Sequence, residues 1–275
     1  MLNYNDLKPC KIYYLSSEFS PYAHTSNLSD LSKDFSTYLN EQKDIEIRLI
    51  QPKYGFISER KYVLREVIRL KELVINFKGA DYLINIKSAF IPNTRTQIYF
   101  LEYNDYYFDL SELLYKSKNG RYYKNNDEKY SFFVEVALQT LRKLFWSPDV
   151  IVFNDWQTSI LPILIKQKSK QDSFFQNIKT VFYIHTIDSN YNFSNELFKD
   201  TNLKYDAKKS HQDMIQLACK HADLIYVVNN DSNDKKIKSI LKNKKYKIIN
   251  PINSLKSSEK LELFNKMSID IQSII

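Results

Sequence analysis

Residues 147–159 read SPDVIVFNDWQTS, an apolar run that opens after a proline and ends in a polar cluster. Val150, Ile151 and Val152 follow one another without a polar break, the pattern of a strand covered on both faces. That strand delivers Asp155, Trp156 and Gln157 to its carboxyl end, just before a helix predicted from Thr158 to Lys168. The same rhythm continues downstream. Strands are predicted at 179–183, 223–228 and 245–249, with helices near 208–221, 231–241 and 257–274. Alternating elements of this length imply a parallel sheet with helices on both faces.

The N-terminal half opens the same way. Lys11–Leu15 (KIYYL) reads as a strand, and Leu28, Leu31, Phe35, Tyr38 and Leu39 then recur at helical spacing, with Asn27 a plausible N-cap. Residues 44–50 alternate as a second strand, stopped by Gln51-Pro52. Between Tyr62 and Glu102 the text changes to short strands at 72–77, 82–90 and 97–101, with a turn at 78–81, which reads as an antiparallel excursion. A long helix follows at 128–145, its stripe of Phe132, Phe133, Val136, Leu141 and Phe145 expected in the core. The fold class is therefore α/β, a Rossmann-like doubly wound, mostly parallel sheet. In such sheets ligands bind in the crevice at the carboxyl ends of the strands, here the loops after Leu15, Phe153 and Tyr183.

Composition excludes several function classes. Of 275 residues only three are glycine, Gly55, Gly79 and Gly120, so no G-x-G-x-x-G fingerprint, Walker A loop, kinase glycine loop or G-x-S-x-G elbow can be written. With 43% apolar and 26% charged residues the chain is globular and not disordered. The net charge of +8 comes from lysines scattered through the chain, and the basic run at 235–247 reads as a solvated helix face, so no nucleic-acid partner is expected. Cys10 and Cys219 lack any metal spacing and fit a reducing compartment, and no run is apolar or long enough for a signal or membrane span. A cytoplasmic protein without a metal, a cofactor or a membrane partner is expected.

At the three loops, Asp155, Trp156 and Gln157 offer a carboxylate, an indole and an amide, a set suited to a hydroxyl-rich ligand such as a sugar. Equally, Trp156 can plug the core and Asp155 can cap the helix that follows. His185 closes another strand, a position where a lone histidine is more often structural than catalytic.

Taken together in this order, the loops resemble the N-terminal domain of bacterial glycogen synthases and plant starch synthases. That family's S-S-E-x-x-P and K-T-G-G-L-G-D-V are matched by Ser16, Ser17, Glu18, Pro21, Thr25, Leu28 and Asp30, and its P-x-Y-G by Pro52, Tyr54 and Gly55. Its Y-x-D-N-x-x-R-F is echoed by Tyr123, Asn126 and Tyr130, and its P-D-I-V-H-C-H-D-W-Q-T by Pro148, Asp149, Asp155, Trp156, Gln157 and Thr158. Its T-I-H-N is echoed by Ile184 and His185, and A-D-x-I-Y-x-V by residues 222–228, so the likeness spans about residues 10–252.

The resemblance implies a GT-B glycosyltransferase that moves glucose from ADP-glucose or UDP-glucose, as substrate, to an α-1,4-glucan or maltooligosaccharide. It further implies that Thr25, Asp30, Tyr54, Asp155, Trp156, Gln157 and His185 bind sugar around one cleft. The family's second, nucleotide-sugar domain is expected to lie beyond these 275 residues, so 1–275 is expected to be one acceptor-side domain with 257–274 a helix packing back on it near the long helix. Activity is then expected to need a separately encoded nucleotide-sugar domain or self-association, and the chain alone is expected to be inactive. A noncatalytic glucan-binding or regulatory relic is the alternative. His24, Ser26, Asn27 and Ser29 stand where the family has Lys and Gly, and Val152 and Asn154 where it has histidines, changes that remove a phosphate-neutralising charge and proton-carrying groups.

Overall fold

The computed structural model describes residues 8–186, 192–198, 211–229, 237, 239–241 and 244–275. Strand β1 (Cys10–Leu15) leads into α1 (Asn27–Asn40) and β2 (Ile45–Pro52). A single turn of helix, α2 (Glu59–Tyr62), precedes β3 (Arg65–Glu66), β4 (Leu73–Phe77), β5 (Ala80–Phe90) and β6 (Gln97–Glu102). Helices α3 (Asn104–Tyr107) and α4 (Asn126–Lys143) then lead to β7 (Val150–Asn154), α5 (Asp155–Thr158), α6 (Leu161–Gln171) and β8 (Lys179–Ile184). Beyond these come β9 (Asn192–Ser194), β10 (His211–Asp213), α7 (Met214–His221), β11 (Leu224–Val228), β12 (Lys247–Ile249) and α8 (Ser257–Gln272).

The sheet runs β12-β11-β8-β7-β1-β2-β6-β5-β3, with β4 added to β5 and β9–β10 a separate hairpin. From β12 to β6 every pairing is parallel, and β5 is antiparallel to β6, β3 and β4. This is the doubly wound sheet with its antiparallel excursion. The chain moves outward from β1 in one direction through β2 and in the other through β7. The strand order therefore reverses between β1 and β7, the position at which open α/β sheets bind their ligands.

Alternate residues of the central strands face opposite layers. Tyr13 meets Trp146 on one side, whereas Tyr183 meets Phe35 of α1 and stacks on Tyr226 on the other. Phe153 and Phe182 stack with centroids 4.5 Å apart. Tyr13, Tyr14, Tyr54, Tyr107, Tyr130, Tyr183 and Tyr226 are all buried, so many of the tyrosines are core material.

Some boundaries differ from the sequence reading for identifiable reasons. The N-cap of α1 is Ser26, whose side chain accepts from the Leu28 amide, and not Asn27. Strand β2 continues through Pro52, which pairs with Leu101 as the last residue before the site. The helix expected at 158–168 divides into α5 and α6, because Pro162 suits the first turn of a new helix. Residues 211–213 are strand, so α7 begins only at Met214. The helix expected at 231–241 and the basic run at 235–247 fall mostly outside the described residues. Phe145, expected in the core, is 85% exposed, because its left-handed φ of 52° ends α4 and turns the ring outward.

The C-terminal helix packs on the domain, but against α1 and not α4. Phe264 lies 5.3 Å from the Phe35 ring and 5.7 Å from Tyr38, and Asp270 accepts a 2.7 Å bond from the Tyr226 hydroxyl. Phe264, Met267 and Ile271 form its buried stripe, each worth about 1.5–3 kcal/mol, whereas Leu261 and Ile269 stay exposed.

The scarcity of glycine leaves its mark on the backbone. Val63, Glu72, Lys78, Asn93, Leu114, Phe145 and Asp155 all adopt positive φ. Val63 is β-branched, exposed and at φ 53°, a conformation that costs an L-residue about 1–2 kcal/mol. Gly55 is the reverse case, because a Cβ there would stand 2.0 Å from the Phe108 carbonyl oxygen. Thermal denaturation should therefore show Val63→Gly raising stability by about 1 kcal/mol and Gly55→Ala lowering it by about 1–3 kcal/mol. Equal midpoints for both variants and wild type would contradict this account of the backbone.

Candidate functional site

The crevice is built from the carboxyl ends of β1, β7 and β8. After Leu15 the chain enters Ser16-Ser17-Glu18, all three fully buried. The Ser16 hydroxyl donates to the Glu18 carbonyl at 2.8 Å and accepts from Ser32 of α1 at 3.0 Å, which fixes the turn. The Glu18 carboxylate is then aimed back at its own loop. It accepts from the Thr25 amide at 2.5 Å, from the Thr25 hydroxyl at 2.7 Å and from the Tyr115 hydroxyl at 2.5 Å. Burial raises its pKa, and the bonds from Thr25 and Tyr115 oppose that rise.

The end of β7 repeats the device. Asn154 bonds across to β1 through the Leu15 carbonyl at 2.8 Å, and Asp155 follows in the left-handed region at φ 56°, which Asp tolerates better than most residues. Its carboxylate accepts from the His185 amide at 3.2 Å, the Thr186 amide at 3.0 Å and the Thr186 hydroxyl. Desolvation pushes the Asp155 pKa to about 6, with the bonds from Thr186 and His185 opposing and the Glu18 charge adding to the rise. Each buried carboxylate thus grips one threonine through both its amide and its hydroxyl, and each of those threonines is exposed.

An aromatic wall stands behind them. Tyr115 and Tyr130 pack edge-on against Trp156 at 5.3 and 5.4 Å, and Phe193 adds a fourth ring at 6.4 Å. The Tyr54 hydroxyl donates to the Ser17 carbonyl at 2.8 Å and lies 3.3 Å from that of Tyr130. Lys129, next to this wall, is buried over the Tyr123 ring at 4.6 Å, and desolvation lowers its pKa.

Of the seven residues singled out in the sequence, Thr25, Asp155 and His185 stand in the segments that follow β1, β7 and β8, with Asp155 bonded to the His185 amide, and Gln157 is buried in α5. Tyr54 and Trp156 are buried at 0% and 2% exposure and form the wall, so Trp156 takes the core-plug position. Asp155 neither caps α5, whose N-cap Asn154 makes no side-chain cap bond, nor opens to solvent. Asp30 sits farther out on α1, bonded to His24 at 3.2 Å and to Asn253 at 3.0 Å. Burial would raise its pKa, but the bonds from Asn253 and His24 hold it below the usual value. Gln157 keeps its Oε1 buried without a hydrogen-bond partner among the described residues. His185 is buried, and desolvation lowers its pKa to about 3, so its ring is neutral at physiological pH.

Two central residues were not singled out as ligands in the sequence. Glu18 carried a signal, a carboxylate at the end of an apolar strand with no cation near it in the chain. Tyr115 carried none, being 97 residues from the carboxylate it bonds. Among the described residues no cluster of His, Cys, Asp and Glu could hold a metal, and no helix is long and apolar enough to cross a membrane.

A family model for the starch synthase catalytic domain matches residues 11–235. The glycogen synthase of Chlorobium limicola is 38% identical over 177 residues, which is 64% of this chain and 36% of that protein. That of Chlorobaculum tepidum is 31% identical over 220 residues, 78% of this chain and 45% of that protein. The chain thus spans less than half the length of these curated relatives. The catalytic domain of Arabidopsis thaliana starch synthase IV, solved with ADP and acarbose, superposes with a TM-score of 0.71 at 17% identity over 88% of this chain and 51% of that one, so the fold is shared.

The pKa of Asp155 gives a signed expectation. A folded value of about 6 against an ordinary 3.8 means that the fold prefers the protonated carboxyl. The stability this contributes is fully present below pH 3.8 and is lost as pH rises through about 6, a difference of roughly 3 kcal/mol at about 1.4 kcal/mol per pH unit. Asp155→Asn should consequently gain stability relative to wild type at pH 8, and the gap should close as pH falls from 7 to 4. Urea titrations at several pH values measure it, and a gap independent of pH would rule out a buried ionised Asp155.

Proposed function

The chain belongs to the starch synthase catalytic-domain family, and from that premise we propose that it is the acceptor-side domain of an α-1,4-glucan glucosyltransferase. It binds the nonreducing end of a maltooligosaccharide at the β1/β7 crevice, where glucose arrives from ADP-glucose or UDP-glucose as substrate. The observation that carries this reading is the paired clamp. Glu18 and Asp155 hold Thr25 and Thr186 at the ends of neighbouring strands, which supports a rigid rim of hydroxyls and loop backbone facing the sugar. The neutral His185 ring and the Gln157 amide, buried just behind those loops, are of a chemistry that suits uncharged hydroxyls.

On this reading the two carboxylates are positioning residues. They fix the loops that touch sugar, and their burial keeps them from competing for its hydroxyls. The donor diphosphate needs cations to stabilise the leaving group, a contribution worth about 10²–10³ in rate for a single donor group. The rim offers His24, Ser26 and Asn27 where the family has Lys and Gly, so the diphosphate is met by a second, nucleotide-binding domain, whether covalent, separately encoded or contributed by another copy. The protein works in the cytoplasm, where sugar nucleotides are available.

Calorimetric titration of the 275-residue chain with maltohexaose and, in parallel, ADP-glucose tests this. Maltohexaose should bind, Glu18→Gln and Asp155→Asn should each weaken it about tenfold, and glucosyl transfer by these residues alone should be negligible. Absence of maltohexaose binding, or affinity unchanged in both variants, would remove the crevice from consideration. Robust transfer by the chain alone would defeat the need for a second domain.

A further inference from the structure

The layer built on α4 has two exposed ends of opposite charge. At its C-terminal end α4 closes on Arg142 and Lys143, both exposed, and the left-handed backbone of Phe145 holds that ring in solvent. Arg69, from the 3-10 turn Ile68–Leu70, and Lys168 of α6 stand in the wall of the same shallow basin, with Asp172 its one carboxylate among the described residues. Asp172 is taken up by Arg142, and Lys168 is held by Glu135 at 2.6 Å. The basin therefore carries a net positive charge, and the exposed Ile68 beside Arg69 adds to the apolar surface of Phe145.

At the other end, residues 103–115 read YNDYYFDLSELLY, with three carboxylates and neither Lys nor Arg. Asp105, Asp109 and Glu112 are exposed, and so are Phe108 and Leu113. The segment is pinned to the first turns of α4. The Tyr106 hydroxyl donates to Glu128 at 3.1 Å, that of Tyr107 donates to the Lys129 carbonyl at 2.7 Å, and the Tyr103 and Tyr106 rings pack on Phe132 at 5.2 and 5.1 Å. Phe108 and Leu113 are thus presented to solvent by a firmly held chain. Between the two ends lies the β4–β5 hairpin. Its inner face sets Phe77 and Tyr82 on Phe132, and Gln139 of α4 donates to the Asn76 carbonyl at 3.0 Å. Its outer face carries Val74 and Leu83, directly opposite each other in the ladder and both exposed.

We propose that two copies of this chain pair across this layer about a twofold axis, turned end for end. Phe108, Asp109 and Glu112 of each copy meet the Arg69, Lys143 and Phe145 basin of the other, and the two Val74–Leu83 pairs lie near the axis. The 18 residues of α4 span about 27 Å, and a standard interface of about 800 Å² per partner is roughly 28 Å across, so a single interface reaches both ends. Like ends repel, and only the antiparallel arrangement sets each acidic segment against a basic basin. A twofold pair makes that contact twice and leaves no open end. The occupant is a second copy because both halves of the complementary pair stand on one chain. The acidic segment runs into Tyr115, which bonds Glu18, but the pairing uses no residue of the crevice and holds whether or not glucan binds there.

Sedimentation equilibrium of the 275-residue chain tests this. The wild type should be a dimer whose association weakens at least tenfold in high salt. Arg69→Glu/Lys143→Glu and Asp109→Lys/Glu112→Lys should each be monomeric, with the wild-type circular dichroism spectrum because all four positions are exposed. An equimolar mixture of the two variants should dimerise again, since the reversed basin of one then faces the reversed segment of the other. A chain carrying all four changes should dimerise alone. A monomeric wild type at 0.1 mM, either variant as dimeric as wild type, or assemblies larger than two would overturn the pairing. So would a mixture and a four-change chain that both stay monomeric.

Discussion

The burial of two carboxylates at adjacent strand ends is the constraint around which the rest of the crevice is arranged. Among the described residues neither Glu18 nor Asp155 forms an ion pair, so each is satisfied mainly by hydrogen bonds, with a favourable influence of His24 on Glu18. Desolvating an ionised carboxyl costs several kcal/mol, and three hydrogen bonds offset only part of it, which is why both pKa values stand above normal. The Glu18 charge also adds to the rise at Asp155. A fold selected for stability alone would place amides there. Such an arrangement is expected where geometry at a site matters more than the stability it forgoes.

The β-α rhythm was legible because parallel strands buried on both faces write themselves as continuous apolar runs, as at Val150–Phe153 and Val181–Ile184. The motif residues at strand ends were legible for the same reason, since a polar cluster just after such a run can stand only at the sheet's carboxyl edge. What could not be read was direction. Asp155 was open to a sugar-facing role or a helix-capping one, and its left-handed backbone sends it to the His185–Thr186 loop instead. Phe145 fits the apolar period of α4, yet the helix has already ended two residues earlier. The docking of α8 depends on Phe35 and Tyr38 of α1 and Tyr226 of β11, residues from two separate segments, and no local pattern carries that information.

The shortage of glycine has a structural price that falls on ordinary residues. The family resemblance implies glycines in the loop after the first strand, where this chain has Ser26, Asn27 and Ser29. Here the loop is stiffened from below: Ser26 caps α1, and Ser29 donates to the Ser26 carbonyl at 2.9 Å. The Glu18 clamp on Thr25 completes this, so the loop is held by side-chain bonds where glycines would let the backbone approach a ligand. A loop held in this way keeps its backbone at side-chain distance and meets its partner with hydroxyls.

That distinction separates the two kinds of ligand a sugar-transferring crevice must meet. A diphosphate is recognised by close backbone amides and cations, whereas the loop after β1 carries His24, Ser26, Asn27 and Ser29. An acceptor glucan is uncharged and is recognised by hydroxyls, amides and neutral rings, which Thr25, Gln157 and the neutral His185 supply. The substitutions therefore fall unevenly: they remove what an anionic donor requires and keep what a neutral acceptor can use. On the proposed reading, the residues of this half of the crevice would suit a neutral glucan, and the stabilisation of the leaving group would fall to whatever faces it across the cleft.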